Sequence, residues 1–447
     1  MRARLLELSL LGGLALHASA CSWSRFDDVT ENSPVVLLQK PGSMKDGFGV
    51  SLATATHNGQ TELLVGGATN VSSAALYEIG KGESAGTHAV DSGYCSGGSC
   101  FLSSLTAGFA NARAPEQIRT LCFALGSGTV GTEQGLVVRC SDSHEYALRM
   151  PQAAQDLLAI SIAQNQPHDH PLATDRTDDP LLLVSLPEKR LAWFYPAKSA
   201  EFSELLLPAG AQADDASFGQ SLAVLAVDGG RVLALGVPGK SAVFLWKTDD
   251  SASSSYIGCL GGIHGMGRAL AAGRVNTDGS DDLVVSDDRN VHVIDGAALF
   301  DLPETASSEC GFSSLPAGAL LDSFGCGSTS SLTGCEKSDF GAAVAVGDLD
   351  GDGDGEVIVG APKMTVRGEE NAGALLVYDA EASTDTGFVD ANFISSAEAG
   401  DELGRSIVTP HLDNRDIIAA GAPGKGKAAL FYCSAPLSAD RAGSRCP

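Results

Sequence analysis

The chain is short of positive charge. Its 447 residues carry 29 Lys and Arg against 55 Asp and Glu, a formal net charge of −26 at pH 7. Such a surface repels polyphosphate, which argues against nucleic acid as a partner and against adsorption to anionic lipid. Long apolar runs are equally scarce. Beyond the N-terminal segment no stretch approaches the ~20 apolar residues that a spanning helix requires, so the chain reads as anchored or free rather than threaded. The common catalytic signatures are missing too. There is no nucleophile elbow, zinc-protease helix motif or phosphate loop. None of the 11 cysteines has the two-residue spacing typical of structural zinc sites.

The densest feature that is present runs from Phe340 to Pro362, FGAAVAVGDLDGDGDGEVIVGAP. Val344 and Val346 alternate with small residues, as in a half-buried strand. Val357-Ile358-Val359 is a short apolar run stopped by Gly-Ala-Pro. The spacing predicts strand, acidic turn, strand. Carboxylates fall at Asp348, Asp350 and Asp352, followed by Gly353, Asp354 and Glu356.

Calcium takes about six to eight hard oxygen ligands at about 2.3–2.6 Å. Alternate positions on a tight loop converge, and a glycine among them supplies the positive φ of the turn. The expected Ca2+ site draws side-chain oxygens from Asp348, Asp350, Asp352 and Glu356 and the carbonyl oxygen of Asp354. A solvated acidic hairpin is the plainer alternative, but like charges crowded on one loop repel each other without a cation. Calcium is preferred to magnesium because the ligands are many and flexible.

The same opening and closing residues recur along the chain. Gly47-Phe48-Gly49 leads to Leu63-Leu64-Val65-Gly66-Gly67-Ala68, and Phe218-Gly219 leads to Val232–Pro238. Met266-Gly267 leads to Leu283-Val284-Val285-Ser286, and Leu403-Gly404 leads to Ile417–Pro423. Each unit continues into a third apolar strand: Ala75–Tyr77, Val243–Leu245, Val291–Ile294, Ala374–Tyr378 and Ala429–Tyr432. Recurrence of this kind marks an internal repeat.

These residues resemble the FG-GAP repeat, and the chain is similar to the β-propeller of integrin α subunits and its bacterial relatives over roughly residues 35–433. Clear units begin near Phe48, Phe218, Met266, Phe340 and Leu403. The interval from Phe48 to Phe218 suits two degenerate units, with Leu136–Arg139 and Leu181–Pro187 as their second strands. The resemblance therefore implies an all-β fold, a seven-bladed propeller. Val35–Leu38 precedes the first unit and is expected to supply the last blade's final strand and close the ring.

Residues 1–20 read as an export signal, with Arg2 and Arg4, an apolar stretch from Leu5 to Leu16, and Ala18-Ser19-Ala20. Cleavage before Cys21 fits an ordinary signal peptidase and also the bacterial lipoprotein pattern, in which Cys21 carries the lipid. An odd cysteine count favours lipidation. Residues 21–34 then form the lipidated tether, 35–433 the propeller and 434–447 a C-terminal tail. Ten cysteines remain for five disulfides in an oxidising compartment. Local guesses are Cys95–Cys100, Cys122–Cys140, Cys326–Cys335 and Cys433–Cys446, leaving Cys259–Cys310.

A worn copy of the acidic loop follows Met266: Arg274-Val275-Asn276-Thr277-Asp278-Gly279-Ser280-Asp281-Asp282. Its metal ligands would be Asn276, Asp278 and Asp282. Arg274 takes the place of the first Asp, and its guanidinium is an alternative to the cation, pairing with Asp278 and Asp282. Asp175–Asp179 is a further relic expected to hold no metal. His168-Asp169-His170 reads as an exposed polar loop rather than a metal pair. Two cysteine-bearing inserts, the small Tyr94–Cys100 and the longer Ser307–Cys335, are either recognition loops on a rigid scaffold or neutral insertions.

The expectation is a non-enzymatic, calcium-stiffened binding or adhesion module. It would be a monomeric ring exported to a bacterial outer membrane or cell surface as a lipoprotein, or otherwise secreted. Its partner would be a surface protein or glycan, and its only membrane contact the N-terminal lipid anchor. The competing class is an exported propeller enzyme, a polysaccharide lyase or hydrolase, and the third a structural envelope subunit.

Overall fold

A computed structural model of the chain describes residues 35–42, 47–57, 60–67, 73–80, 89, 106–107, 122–130, 133–140, 145–148, 172–174, 181–187, 190–196, 202–207, 217–249, 253–305, 310–311, 315–326, 337–349, 351–379, 384–390, 398–412 and 415–432. The export signal, Cys21, the tether, His168–His170, Asp175–Asp179, Cys95, Cys100, Cys335 and the tail lie outside the described residues. So does Asp350.

The described chain is built of antiparallel sheets. Strand β1 is Val35–Leu37. Sheet one holds β2 (Phe48–His57), β3 (Gln60–Gly67) and β4 (Ser73–Ile79). Sheet two holds β5 (Thr106–Ala107), β6 (Cys122–Val130), β7 (Glu133–Cys140) and β8 (Glu145–Leu148). Sheet three holds β9 (Leu172–Thr174), β10 (Leu181–Leu186), β11 (Leu191–Pro196) and β12 (Ser203–Glu204). Sheet four holds β13 (Ser221–Val227), β14 (Gly230–Val237), β15 (Ala242–Thr248) and β16 (Ser255–Gly261).

Sheet five holds β17 (Leu270–Gly273), β18 (Asp282–Ser286), β19 (Asn290–Ile294) and β20 (Leu320–Gly325), with a short helix α1 (Gly296–Phe300) between the last two. Sheet six holds β21 (Val344–Gly347), β22 (Glu356–Ala361), β23 (Ala374–Asp379) and β24 (Thr384–Asp390). Sheet seven runs β25 (Ser406–Val408), β28 (Ile418–Ala422), β29 (Lys427–Phe431) and then β1. A small ribbon, β26 (His411–Leu412) and β27 (Arg415–Asp416), sits beside it. No described sheet closes on itself, and no described helix is long and apolar enough to cross a membrane.

Each sheet is a meander in chain order except the last, where β1 pairs antiparallel with β29, Val35 opposite Phe431 and Leu37 opposite Ala429. The expected third strands are third in their sheets. One expectation needs correction. Leu136–Arg139 lies in β7, the third strand of sheet two, and β6 takes the second place. The Gly126-Ser127-Gly128 run and a register shift between Ala124 and Gly126 break the apolar pattern that would have marked β6.

Packing explains why the unit openers recur. Phe48, Phe218, Met266, Phe340 and Leu403 are all buried to 2% exposure or less. The glycine after each opener has positive φ, and a Cβ on Gly267 would meet the Ala242 carbonyl oxygen at 2.5 Å. Only glycine fits there. Apolar side chains lie between neighbouring sheets. Leu183 and Phe194 of sheet three cluster with Leu235 and Phe244 of sheet four. Leu225 and Leu245 pack with Val285 and Ile294. Val284, Ile358 and Ile418 join sheets five, six and seven. Leu63 and Tyr77 of sheet one meet Ala419 and Leu430 of sheet seven. A half-buried four-stranded sheet is stabilised by such neighbours rather than alone.

Polar contacts follow the same pattern. The Ser221 hydroxyl donates to the Gly267 carbonyl at 2.6 Å, and the Ser406 hydroxyl to that of Gly49 at 2.7 Å. First strands touch in succession: β2 with β5, β5 with β9, β9 with β13, β13 with β17, β17 with β21, β21 with β25, and β25 with β2. Cys259 and Cys310 form a disulfide with Cα atoms 4.7 Å apart, and Cys326 is also disulfide-bonded. Cys122 and Cys140 stand opposite each other in the backbone register of sheet two.

Candidate metal centres

Two acidic loops occupy equivalent places, between β21 and β22 in sheet six and between β17 and β18 in sheet five. In each, the acid that begins the second strand turns back onto the loop. Glu356 Oε2 accepts from the Leu349 N–H at 2.7 Å, and Asp282 Oδ2 accepts from the Val275 N–H at 3.0 Å. Both acids are buried, at 4% and 0% exposure. One oxygen of each thus holds the base of its loop.

In the sheet-six loop Asp348 accepts the N–H groups of Gly351 at 2.7 Å and Gly353 at 3.1 Å. Asp352 Oδ1 accepts the Asp354 N–H at 3.0 Å. Gly351 and Gly353 have φ of 84° and 104°, the conformation expected for the turn. Burial raises the Asp348 carboxyl pKa, and repulsion from Asp352 and Asp416 adds to the shift against the two glycine N–H groups. Asp348, Asp352, Asp354 and Glu356 are hard oxygen donors of the kind a divalent cation takes, but among the described residues they do not form a group at metal-ligand spacing, which Asp278, Asp282 and Asp295 of sheet five do. No ion pair among the described residues involves Asp348.

The sheet-five loop brings two of its expected ligands, Asp278 and Asp282, beside a third carboxylate, Asp295. Asn276 Oδ1 accepts the Asp278 N–H at 2.9 Å, and Asp278 Oδ1 accepts the Ser280 N–H at 2.7 Å. Carboxylate oxygens of Asp278, Asp282 and Asp295 lie within 4.8 Å of one another. Donors about 2.5 Å from a shared cation stand at most about 5 Å apart, so this spacing suits one. Burial pushes the Asp282 carboxyl up to about 7, opposed by N–H groups of Val275 and Gly296 and reinforced by Asp278 and Asp295.

Asp295 was not legible as a member. It caps α1, accepting the Ala298 N–H at 2.9 Å, and reaches the cluster only because β19 returns beside β18. Its signal in the sequence is an N-cap signal. Arg274 is exposed and in no ion pair among the described residues, so the expected guanidinium substitute for a cation is not formed.

No curated protein matches the chain. The FG-GAP repeat matches residues 340–378, the segment holding β21, the acidic loop, β22 and most of β23. The chain carries an FG-GAP repeat at residues 340–378.

Proposed function

We propose that the chain is a seven-bladed FG-GAP propeller, its ring closed by β1, that serves as a calcium-stabilised binding or adhesion module on the cell surface. The observation that carries this reading is the acidic loop inside the FG-GAP repeat. Sheet-to-sheet contacts running from sheet one through sheet seven and back support the ring. Asp348, Asp350, Asp352, Asp354 and Glu356 would hold one Ca2+, and Asn276, Asp278 and Asp282, with Asp295, a second. The ion's contribution is charge neutralisation, which lets a short loop keep its carboxylates together. Stiff loops at one end of a rigid ring are suited to engaging a surface protein or glycan. A lipid on Cys21 would tether the ring to the envelope.

The test is affinity capture with residues 22–447 on envelope and culture extracts, in calcium and then in chelator, read by mass spectrometry. A partner released by chelator is the expected result. If the same material is retained in both, or none in either, metal-dependent binding is refuted.

A further inference from the structure

Three side chains of sheet five form a relay that the metal loops do not use. His292 on β19 lies opposite Ser323 on β20, and Asp287 closes the preceding β18–β19 turn. Ser323 Oγ is 2.9 Å from His292 Nδ1, and His292 Nε2 is 2.9 Å from Asp287 Oδ2. Asp287 and His292 are buried, at 1% and 5% exposure, whereas Ser323 is exposed.

The proton positions follow from the carboxylate. Burial would raise the Asp287 pKa, but hydrogen bonds from His292 and from the N–H groups of Arg289 and Asn290 outweigh it and hold the carboxyl below its usual value. Those N–H groups reach Asp287 Oδ1 at 2.6 and 2.7 Å. An ionised Asp287 has no proton to give, so His292 Nε2 is the donor of that bond. Nδ1 is then the basic nitrogen, and the Ser323 hydroxyl donates to it. An exposed hydroxyl on a basic nitrogen, held in its tautomer by a buried carboxylate, is the arrangement of an activated serine nucleophile.

We propose that Ser323 is a nucleophile that takes an acyl group from a neutral carboxylic ester, with His292 as its base and Asp287 as the group that orients the imidazole. The Ser323 Oγ bonds to the ester carbonyl carbon while its proton passes to His292 Nδ1. The C–O bond to the alcohol then breaks and the alcohol leaves with that proton. Water, losing a proton to the same nitrogen, releases the acid and restores the hydroxyl. The substrate is neutral because Asp322 stands beside the nucleophile and the protein is strongly acidic. The exposed Leu320 and Leu321 offer an apolar surface on the same strand. The Ser323 N–H is engaged by Asp322 Oδ1 at 2.7 Å, so it is not free to stabilise an oxyanion, and acylation is the step to read.

The experiment treats the whole chain with a fluorophosphonate probe and with p-nitrophenyl acetate, and maps the adduct by peptide mass spectrometry. The expected result is one adduct at Ser323, absent in Ser323→Ala, formed about 10²-fold more slowly in Asp287→Asn. Ser323 is exposed, so Ser323→Ala is expected to fold, and its circular dichroism spectrum checks this. No adduct at Ser323, or equal modification of wild type and Ser323→Ala, overturns the proposal.

Discussion

Asp416 holds the backbone of Asp348 by two bonds across adjacent sheets. Its N–H donates to the Asp348 carbonyl at 2.6 Å, and its Oδ2 accepts from the Asp348 N–H at 3.1 Å. Asp281 makes the same pair of bonds to Ala226, at 2.8 and 2.9 Å. At the corresponding place in sheet six stands Gly355, where a Cβ would meet the Arg274 carbonyl at 2.4 Å. The clamp gives Asp281 a role separate from that of Asp282, which belongs to the carboxylate cluster with Asp278 and Asp295.

Asp416→Ala removes the acceptor for a part-buried N–H and for His411 Nδ1, which lies 2.8 Å from Asp416 Oδ1. The expected cost is about 1–3 kcal/mol, read as a lower urea midpoint. Asp416→Asn keeps an acceptor oxygen and is expected to lose less. Equal losses would show that charge, not the clamp, matters.

Asp352 is exposed and near Asp348 in the candidate calcium loop. Asp352→Ala is expected to lower the melting temperature in calcium and to shrink the difference between calcium and chelator. In chelator the variant melts close to wild type, because removing one of the repelling charges offsets its lost hydrogen bond. A variant still fully sensitive to chelator would place the metal elsewhere.

Deleting residues 34–40 removes β1 and exposes the outer edge of β29, including its pairing with Val35–Leu37. Loss of cooperative unfolding, or aggregation through the bared edge, is expected. An unchanged melting curve would show that β1 adds nothing to the fold.

Glu62 sets a pH limit. It is 3% exposed on β3, opposite Glu78, and its Oε2 has no hydrogen-bond partner among the described residues. Burial, then Glu78, raises its pKa to about 7. A carboxyl whose folded pKa exceeds its unfolded value keeps the native state more protonated. Its contribution is complete below the unfolded pKa and is lost as pH rises through the folded one. Relative to Glu62→Gln, wild type should lose melting temperature from about pH 5 to about pH 8. Parallel curves would mean that Glu62 is not strained in the fold.

The Cys259–Cys310 disulfide ties β16 of sheet four to the chain beyond α1, across a sequence separation of 51. Replacing both cysteines by serine is expected to cost about 2–5 kcal/mol. Equal stability of the double variant and the oxidised wild type would assign the bridge no stabilising role.

The repeated units were legible because their openers and apolar triplets answer to one constraint, burial between sheets. Val357-Ile358-Val359 and Val291–Ile294 could scarcely be read otherwise. Sheet two was misread where glycines replace the apolar pattern of β6. The sheet-six acids were visible because four of them fall within one loop. Asp295 was hidden because it belongs to another element, and linear spacing carries no information on which turns a returning strand will set side by side. The Asp287–His292–Ser323 relay was hidden likewise, since Ser323 reaches His292 only across the β19–β20 pairing.

The β1–β29 pairing also governs the order of events in biosynthesis. Val35–Leu37 emerge early from the ribosome, yet their partner strand is made only after every other sheet. Until then β1 is an unsatisfied strand, and the last sheet cannot be completed during elongation. Such distant pairing slows folding and prolongs exposure of an adhesive edge. In a chain of this design the first strand is seated only once synthesis has passed Phe431.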